Sequence, residues 1–234
     1  SKEKITWDNR IVIDYGIANQ KDQEFTRKTN DRFELSSLVG KEIKETPWYY
    51  SFFLNARTQL TSGYDFGEDE DGNPIRTETT KILSPGYFQA GLGMLWKKSD
   101  NLKLNIAPAT ARLILVNSQF TNVGQSQSAI DAFNQIGYFG VKANETSRFE
   151  FGAAIGGYGK FTLLKNVVME NVLNLYSNYL EDPQNIDIDY TINLVMSVNK
   201  WITANVAFQA IYDDNAVKGF QIREALGVGL TYGF

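Results

Sequence analysis

The chain has 234 residues, of which 43% are hydrophobic and 21% charged, and a net charge of -4, a length that fits one domain. It contains no cysteine and no histidine, which excludes disulfides, thiolate or imidazole metal sites, and any nucleophile that relies on a histidine base; with no basic patch, it gives no sign of a nucleic-acid partner. A mean hydropathy of -0.30, without any run of about 18 apolar residues, speaks against membrane-crossing helices, but not against a membrane barrel, in which only alternate residues meet lipid.

The chain opens on Ser1-Lys2-Glu3-Lys4, without a signal-peptide pattern, as expected of a mature or trimmed chain. Strict alternation then begins. Ile5, Trp7, Ile11, Ile13, Tyr15 and Ile17 fall on one parity, against Thr6, Asp8, Arg10, Asp14 and Gly16 on the other, with Asn9 and Val12 as exceptions. Side chains of a strand alternate between its faces, so this reads as a strand with one greasy and one polar face. Phe33, Leu35, Val39 and Ile43 oppose Arg32, Glu34, Ser36 and Glu42; Trp48, Tyr50, Phe52 and Leu54 oppose Tyr49, Ser51, Asn55 and Arg57. Phe88, Ala90, Leu92, Met94 and Trp96 oppose Tyr87, Gln89, Gly91 and Gly93, and Leu102, Leu104 and Ile106 alternate with Lys103 and Asn105 until Pro108 disrupts the pattern.

In the second half, Phe149, Phe151, Ala153, Ile155 and Phe161 oppose Glu150, Gly152, Gly156, Tyr158 and Lys160. Residues 167–180 give the weakest pattern, because Asn171 and Ser177 share the face of Met169, Leu173 and Leu175. Ile186 to Asn199 gives the clearest internal strand, with Ile192 and Leu194 opposing Asp187, Asp189, Thr191 and Asn193, and it forms a tight hairpin with Trp201 to Asp213 through Asn199-Lys200. The chain ends on Gly227-Val228-Gly229-Leu230-Thr231-Tyr232-Gly233-Phe234. One face of that strand is large and apolar and the other nearly bare, and the ending resembles the terminal strand by which outer-membrane barrels of Gram-negative bacteria are recognised for insertion.

About ten strands result, each long enough to cross a bilayer at the usual tilt. The expected links alternate between short (near 44–47, 97–101, 164–166 and 199–200) and long (near 19–30, 62–84, 116–148, 181–185 and 214–221), the order of periplasmic turns and external loops. Trp7, Trp48, Trp96 and Trp201, with Tyr232 and Phe234, gather on the short-turn side as a membrane-interface girdle. The fold expected is therefore all-β: a single-domain, antiparallel, up-and-down transmembrane barrel located in the outer membrane.

Several segments strengthen this. Asp31-Arg32-Phe33-Glu34-Leu35, Trp48-Tyr49-Tyr50 through Asn55-Ala56-Arg57-Thr58-Gln59, Leu83-Ser84-Pro85-Gly86-Tyr87, Ser177-Asn178-Tyr179-Leu180 with Asp182-Pro183-Gln184-Asn185-Ile186-Asp187, Ile211-Tyr212-Asp213-Asp214 and Leu226-Gly227-Val228-Gly229-Leu230 resemble a family of uncharacterised outer-membrane β-barrels common in Bacteroidetes, a domain of unknown function. The resemblance implies a barrel of no assigned activity. It also implies a further strand pair before Ile5, for about twelve strands in all.

By parity, the inner wall should carry Asp8, Arg10, Asp14, Arg32, Glu34, Glu42, Arg57, Glu150, Lys160, Glu170, Asp187, Asp189 and Arg223. Charges of both signs in a narrow lumen either pair across it and fill it or line a wet path for polar solutes. Ten to twelve strands fall between the filled eight-stranded barrels and the open porins. No catalytic residue, cofactor or metal is expected: a carboxylate pair such as Asp187 and Asp189 could serve as acid and base, but alternation alone places them together. The acidic run 65–74 lacks the spacing of an EF-hand and reads as a solvated loop tip, with a divalent bridge to lipopolysaccharide as the alternative. A short helix is expected at 128–133, in a loop that folds either inward as a plug or outward toward a partner. Function then divides between a narrow passive pore or plugged barrel for small polar solutes and a structural or interaction barrel acting through its external loops or within a membrane complex. The expected partners are membrane lipid, lipopolysaccharide, the barrel-assembly machinery through the last strand, and a partner protein in such a complex. A soluble lipocalin-like binder would require the opposite polarity, with its apolar face inside.

Overall fold

The structure is a computed structural model that describes residues 4–21, 24–213 and 217–230. It is built from twelve strands: β1 (Ile5–Ala18), β2 (Arg27–Glu42), β3 (Trp48–Thr58), β4 (Gly63–Glu68), β5 (Pro74–Thr80), β6 (Gly86–Ser99), β7 (Leu102–Leu115), β8 (Ser147–Leu164), β9 (Val167–Asn178), β10 (Ile186–Ser197), β11 (Ile202–Asp213) and β12 (Val217–Leu230). Among the described residues, one α-helix, α1 (Gln127–Asn134), lies between β7 and β8 after a short 3-10 turn at Ser118–Phe120, where the sequence places a short helix. Among the described residues no helix is long and apolar enough to cross a membrane, a statement that does not bear on strands.

Ten strands form one antiparallel sheet in the order β1-β2-β3-β6-β7-β8-β9-β10-β11-β12, each beside its neighbour in sequence except where the β4–β5 hairpin is looped out. The shortest of the ten has 11 residues, which satisfies the roughly 9–11 needed to cross hydrocarbon at a tilt. The loop expected over 62–84 is thus itself a hairpin, with Phe66 opposite Arg76. The last strand begins at Val217, so the long link expected at 214–221 shrinks to three residues, 214–216, which lie outside the described residues. The reason is legible afterwards: Phe220, Ile222, Leu226, Val228 and Leu230 share one parity and are 61–84% exposed, a continuation of the terminal alternation. Tyr232 and Phe234, expected in the girdle, lie outside the described residues.

The sheet curls into a half-barrel. Stepping at about 4.8 Å per strand, β3 and β10 would lie roughly 24 Å apart in a flat sheet, yet Arg57 Nη1 reaches Asp189 Oδ2 at 3.8 Å. The outermost strands are likewise drawn together, Arg223 of β12 meeting Asp14 of β1 at 3.5 Å. Among the described residues no backbone ladder joins these two edges.

A bulge in β7 sets much of the interior. Gly93 of β6 stands opposite the step where the register jumps from Ile106 to Ala109, around Pro108, which has no N–H to give a ladder. The extra residue reverses the parity of β7: Lys103 and Asn105 face inward before it, Thr110, Arg112 and Ile114 after it. A Cβ at Gly93 would strike the Ile106 carbonyl oxygen and approach Ala107 Cα to 2.6 Å, so this close approach of two backbones requires glycine.

Polarity is inverted relative to a soluble domain. Ile11, Ile13, Phe52, Leu92 and Phe149 are 46–65% exposed, on the outward parity. The buried set instead includes Ser51, Asn105, Thr110 and Glu150, together with Tyr49, Leu95, Ala107, Ala154 and Tyr176.

Candidate functional site: the charged interior

The concave face of the sheet encloses a cavity of about 840 Å³, to which β1, β2, β3 and β6 through β11 all contribute. Seven of the charged residues expected on the inner wall line it: Asp8, Arg10, Glu34, Arg57, Glu170, Asp187 and Asp189. Cross-strand register explains their meeting. Glu34 stands opposite Arg57 and Arg57 opposite Tyr87, so the Arg57 guanidinium lies over the Tyr87 ring at 4.7 Å and reaches across the cavity to Asp189. Asp189 also accepts a hydrogen bond from Gln209 Nε2 at 2.9 Å.

A second chain of charges runs along β7, β8 and β10. Arg112 Nη1 donates to Asp187 at 2.5 Å and lies 3.4 Å from Glu150 Oε2. Glu150 in turn lies 2.9 Å from Arg148 Nε, and Arg148 reaches Glu181 at 2.9 Å. The Arg112 guanidinium covers the Tyr176 ring at 3.6 Å. Glu150 is 1% exposed, a burial that a carboxylate tolerates only with such partners. Toward the short turns, Asp8 accepts from Lys103 at 2.7 Å with Lys97 3.8 Å away, and Ser51 donates to Asn105 at 2.6 Å.

The remaining predicted residues sit elsewhere on the inner wall or at its ends. Arg32 pairs with Glu34 on its own strand. Lys160 pairs with Glu170 at 2.8 Å, Glu42 accepts from the Lys4 backbone at 3.4 Å, and Asp14 and Arg223 meet at the seam. Sequence reasoning missed Arg112 and Lys103, both central to the network. Pro108 was the available signal for Arg112, since a proline inside a strand pattern implies a bulge and a reversed parity beyond it.

Of the tryptophans, Trp48 and Trp96 are cross-strand partners, Trp7 is 68% exposed and Trp201 41% exposed, and all four lie at the short-turn ends. The Trp7 indole donates to Ser37 Oγ at 2.9 Å.

The two long loops pack together at the opposite end. Val141, Tyr138 and Phe139 of the 116–146 segment cluster with Ile114, Val116 and the cavity-lining Tyr87. That contact ties the loop to the ends of β6 and β7 on the inner side of the sheet. Gln119 Nε2 donates to Glu78 at 2.6 Å and Tyr138 Oη to the Thr79 carbonyl, tying the loop to the β4–β5 hairpin. Hydrogen bonds from Ser62 and Gln119 hold the Glu78 carboxyl below its usual range, and burial pushes the Tyr138 phenol up.

Chemically, the interior offers fixed charges of both signs around a cavity. Asp187 and Asp189 are each tied to a different arginine. Among the described residues no cluster of three or more acidic groups is placed to hold a metal ion, and Asp69 of the acidic loop tip uses its carboxylate to cap its own turn, accepting from Asn73 N at 2.8 Å and Asp71 N at 3.0 Å.

Fold and interior together define an all-β, up-and-down, curled sheet with aliphatic side chains outside and ion pairs inside. Among protein families, one described as Protein of unknown function (DUF3078) matches residues 1–64 of this chain, from the start through β1, β2 and β3 into β4. No curated protein matches, and no solved structure does. Of the segments that carry the resemblance described above, 31–35 and 48–59 fall inside the matched stretch.

Proposed function

We propose that this protein is an integral outer-membrane β-barrel, of the kind the resemblance implies, whose interior is a narrow, partly plugged passage for small polar solutes. The observation that carries this reading is the charge-lined cavity of about 840 Å³ inside a sheet whose outward face is aliphatic. A contiguous apolar exterior of this extent is unfavourable in water and favourable in lipid. The ion pairs have the opposite need, and they lie on the concave face, shielded from the lipid. Phe53, Ala107, Ala154 and Tyr176 pack across part of the interior, which narrows the passage. Catalysis is not part of this reading, because there is no histidine and Asp187 and Asp189 are each engaged by an arginine.

Single-channel recording in planar bilayers tests it. Small, ohmic conductance steps are expected, enlarged by deletion within 118–144. A protein that inserts but conducts nothing, with or without that loop, would favour the second reading, a scaffold acting through its packed external loops. The mutual packing of both long loops supports that alternative, and stable co-purification of a second protein from native membranes would support it further.

A further inference from the structure

The two outermost strands, β1 and β12, have 14 residues each, and each is laddered on one side only among the described residues. Hydrocarbon supplies no hydrogen bonds, so an edge left open within a bilayer is strongly unfavourable, and only another strand satisfies its N–H and C=O groups. Successive strands of the ten-stranded sheet alternate in direction, so the first and the last run antiparallel to each other and can pair directly. A single strand between them would have to run parallel to one of the two. Two inserted strands would set β1 and β12 about 14 Å apart, too far for the 3.5 Å contact between the inward-pointing Arg223 and Asp14.

That contact also fixes a register. With Asp14 opposite Arg223, the inner face pairs Val12 with Ala225, Arg10 with Gly227 and Asp8 with Gly229, so bare positions receive the two charged side chains that line the cavity. On the outer face Ile17 meets Phe220, Tyr15 meets Ile222, Ile11 meets Leu226 and Trp7 meets Leu230, while Asn9 with Val228 and Ile13 with Glu224 are mixed pairs. The side chains of those apolar pairs are 52–84% exposed, whereas Ile188 and Ile192 of β10, flanked by a strand on either side, are half-buried.

The same register closes a cylinder of ordinary pitch. Followed across the ladders, Ile5 leads by way of Lys41, Met94, Ile155 and Ile188 to Phe220. Phe220 then stands opposite Ile17, so one circuit climbs β1 from residue 5 to residue 17. Over ten strands, at about 3.3 Å per residue and 4.8 Å per strand, that climb tilts the strands by roughly 40°, within the range of membrane barrels. A shift by one residue would set the aliphatic face of β12 beside the polar face of β1; a shift by two keeps the faces but separates Asp14 from Arg223.

We propose that β1 and β12 pair with each other, Asp14 opposite Arg223, and close this sheet as a ten-stranded barrel, against the twelve strands that the resemblance implies. This rests on the membrane reading above and completes its wall: the paired seam separates Asp8 and Arg10 of the passage from lipid.

Because the chain has no cysteine, paired substitutions report the seam directly. Val12→Cys with Ala225→Cys probes the inner face of the register, and Ile11→Cys with Leu226→Cys the outer face. Val12→Cys with Gly227→Cys and Arg10→Cys with Ala225→Cys lie two residues off it, one in each direction. Opposed residues on adjacent strands stand about 5 Å apart and diagonal ones about 7–8 Å, beyond the usual reach of a disulfide. After flotation with phosphatidylcholine vesicles, oxidation by copper phenanthroline is followed by non-reducing electrophoresis and mass spectrometry of the joined peptides. Both in-register pairs should form intramolecular disulfides roughly ten-fold faster than either off-register pair. Equal rates in all four, a faster off-register pair, or no intramolecular bond in any would overturn the proposal. Bonds formed only between two chains would overturn it in favour of a second copy at these edges. A chain that fails to float refutes the membrane reading instead, and the same oxidation in solution still decides the register.

Discussion

Arg112→Ala probes the interior most sharply. The guanidinium has 14% of its side chain exposed, against 17% for Asp187 and 2% for Glu150, so its removal strands two carboxylates in a poorly hydrated wall. Breaking such a buried pair costs about 3–5 kcal/mol. Glu150 keeps Arg148 at 2.9 Å and Asp187 retains some contact with cavity water, which places the expected loss at the lower end, about 3 kcal/mol. Arg223→Ala is the internal control: its pair with Asp14 is 51% and 40% exposed, and such pairs contribute about 0–1 kcal/mol. Urea unfolding in detergent micelles, followed by tryptophan fluorescence, reads both. A double-mutant cycle with Asp187→Asn should recover part of the Arg112 loss, because the stranded charge is then gone. Equal, small effects at Arg112 and Arg223 would refute the idea that the inner ion pairs organise the wall.

Gly93→Ala should destabilise by about 2–3 kcal/mol, measured in the same unfolding assay, because the added methyl meets the backbone of the β7 bulge, which cannot rotate away as a side chain can. Leu194→Arg on the outward face should cost roughly 2–4 kcal/mol in a bilayer near the midplane, whereas inward Asn193→Ala should be far milder, and equal effects would show the two faces to be misassigned. Tyr190→Phe should cost about 1 kcal/mol, since it removes the hydroxyl that donates to Asn171 Oδ1 at 2.9 Å. Acidification should loosen the loop contact at Glu78: its folded pKa lies below its ordinary 4.5, so the stabilisation is present above that value and disappears as the pH falls through the lowered one. Exchange of residues 118–120 should therefore rise on acidification, and Glu78→Gln should abolish that dependence.

The strands were legible because their pattern has period two and rests on local geometry. Ile186 to Asn199 could be read residue by residue, and its inward Asp187 and Asp189 line the cavity as parity requires. Where a bulge shifts the period, local reading fails: Arg112 lies beyond Pro108 and was missed. Even residue 171, which blurred the parity of β9, has a tertiary explanation, because Tyr190 on the next strand satisfies that outward amide. The β4–β5 hairpin was hidden for a different reason. Its acidic tip and Gly72 read as a loop, whereas Tyr64, Phe66 and Arg76 gain their order from rings and cations contributed by β2 and the β1–β2 loop. Which charges pair depends on curvature, and nothing in the sequence encodes directly that β3 and β10 come face to face.

The claim on which this account turns is that the aliphatic face meets hydrocarbon while the charged face meets water. Because the chain has no cysteine, single substitutions Ile11→Cys, Leu194→Cys, Asn193→Cys and Gln209→Cys can each carry one nitroxide label in reconstituted vesicles. Collision with oxygen should dominate for labels at 11 and 194, and collision with a water-soluble nickel chelate for those at 193 and 209. Labels at 11 and 194 that collide freely with the chelate, or labels at all four positions behaving alike, would contradict it.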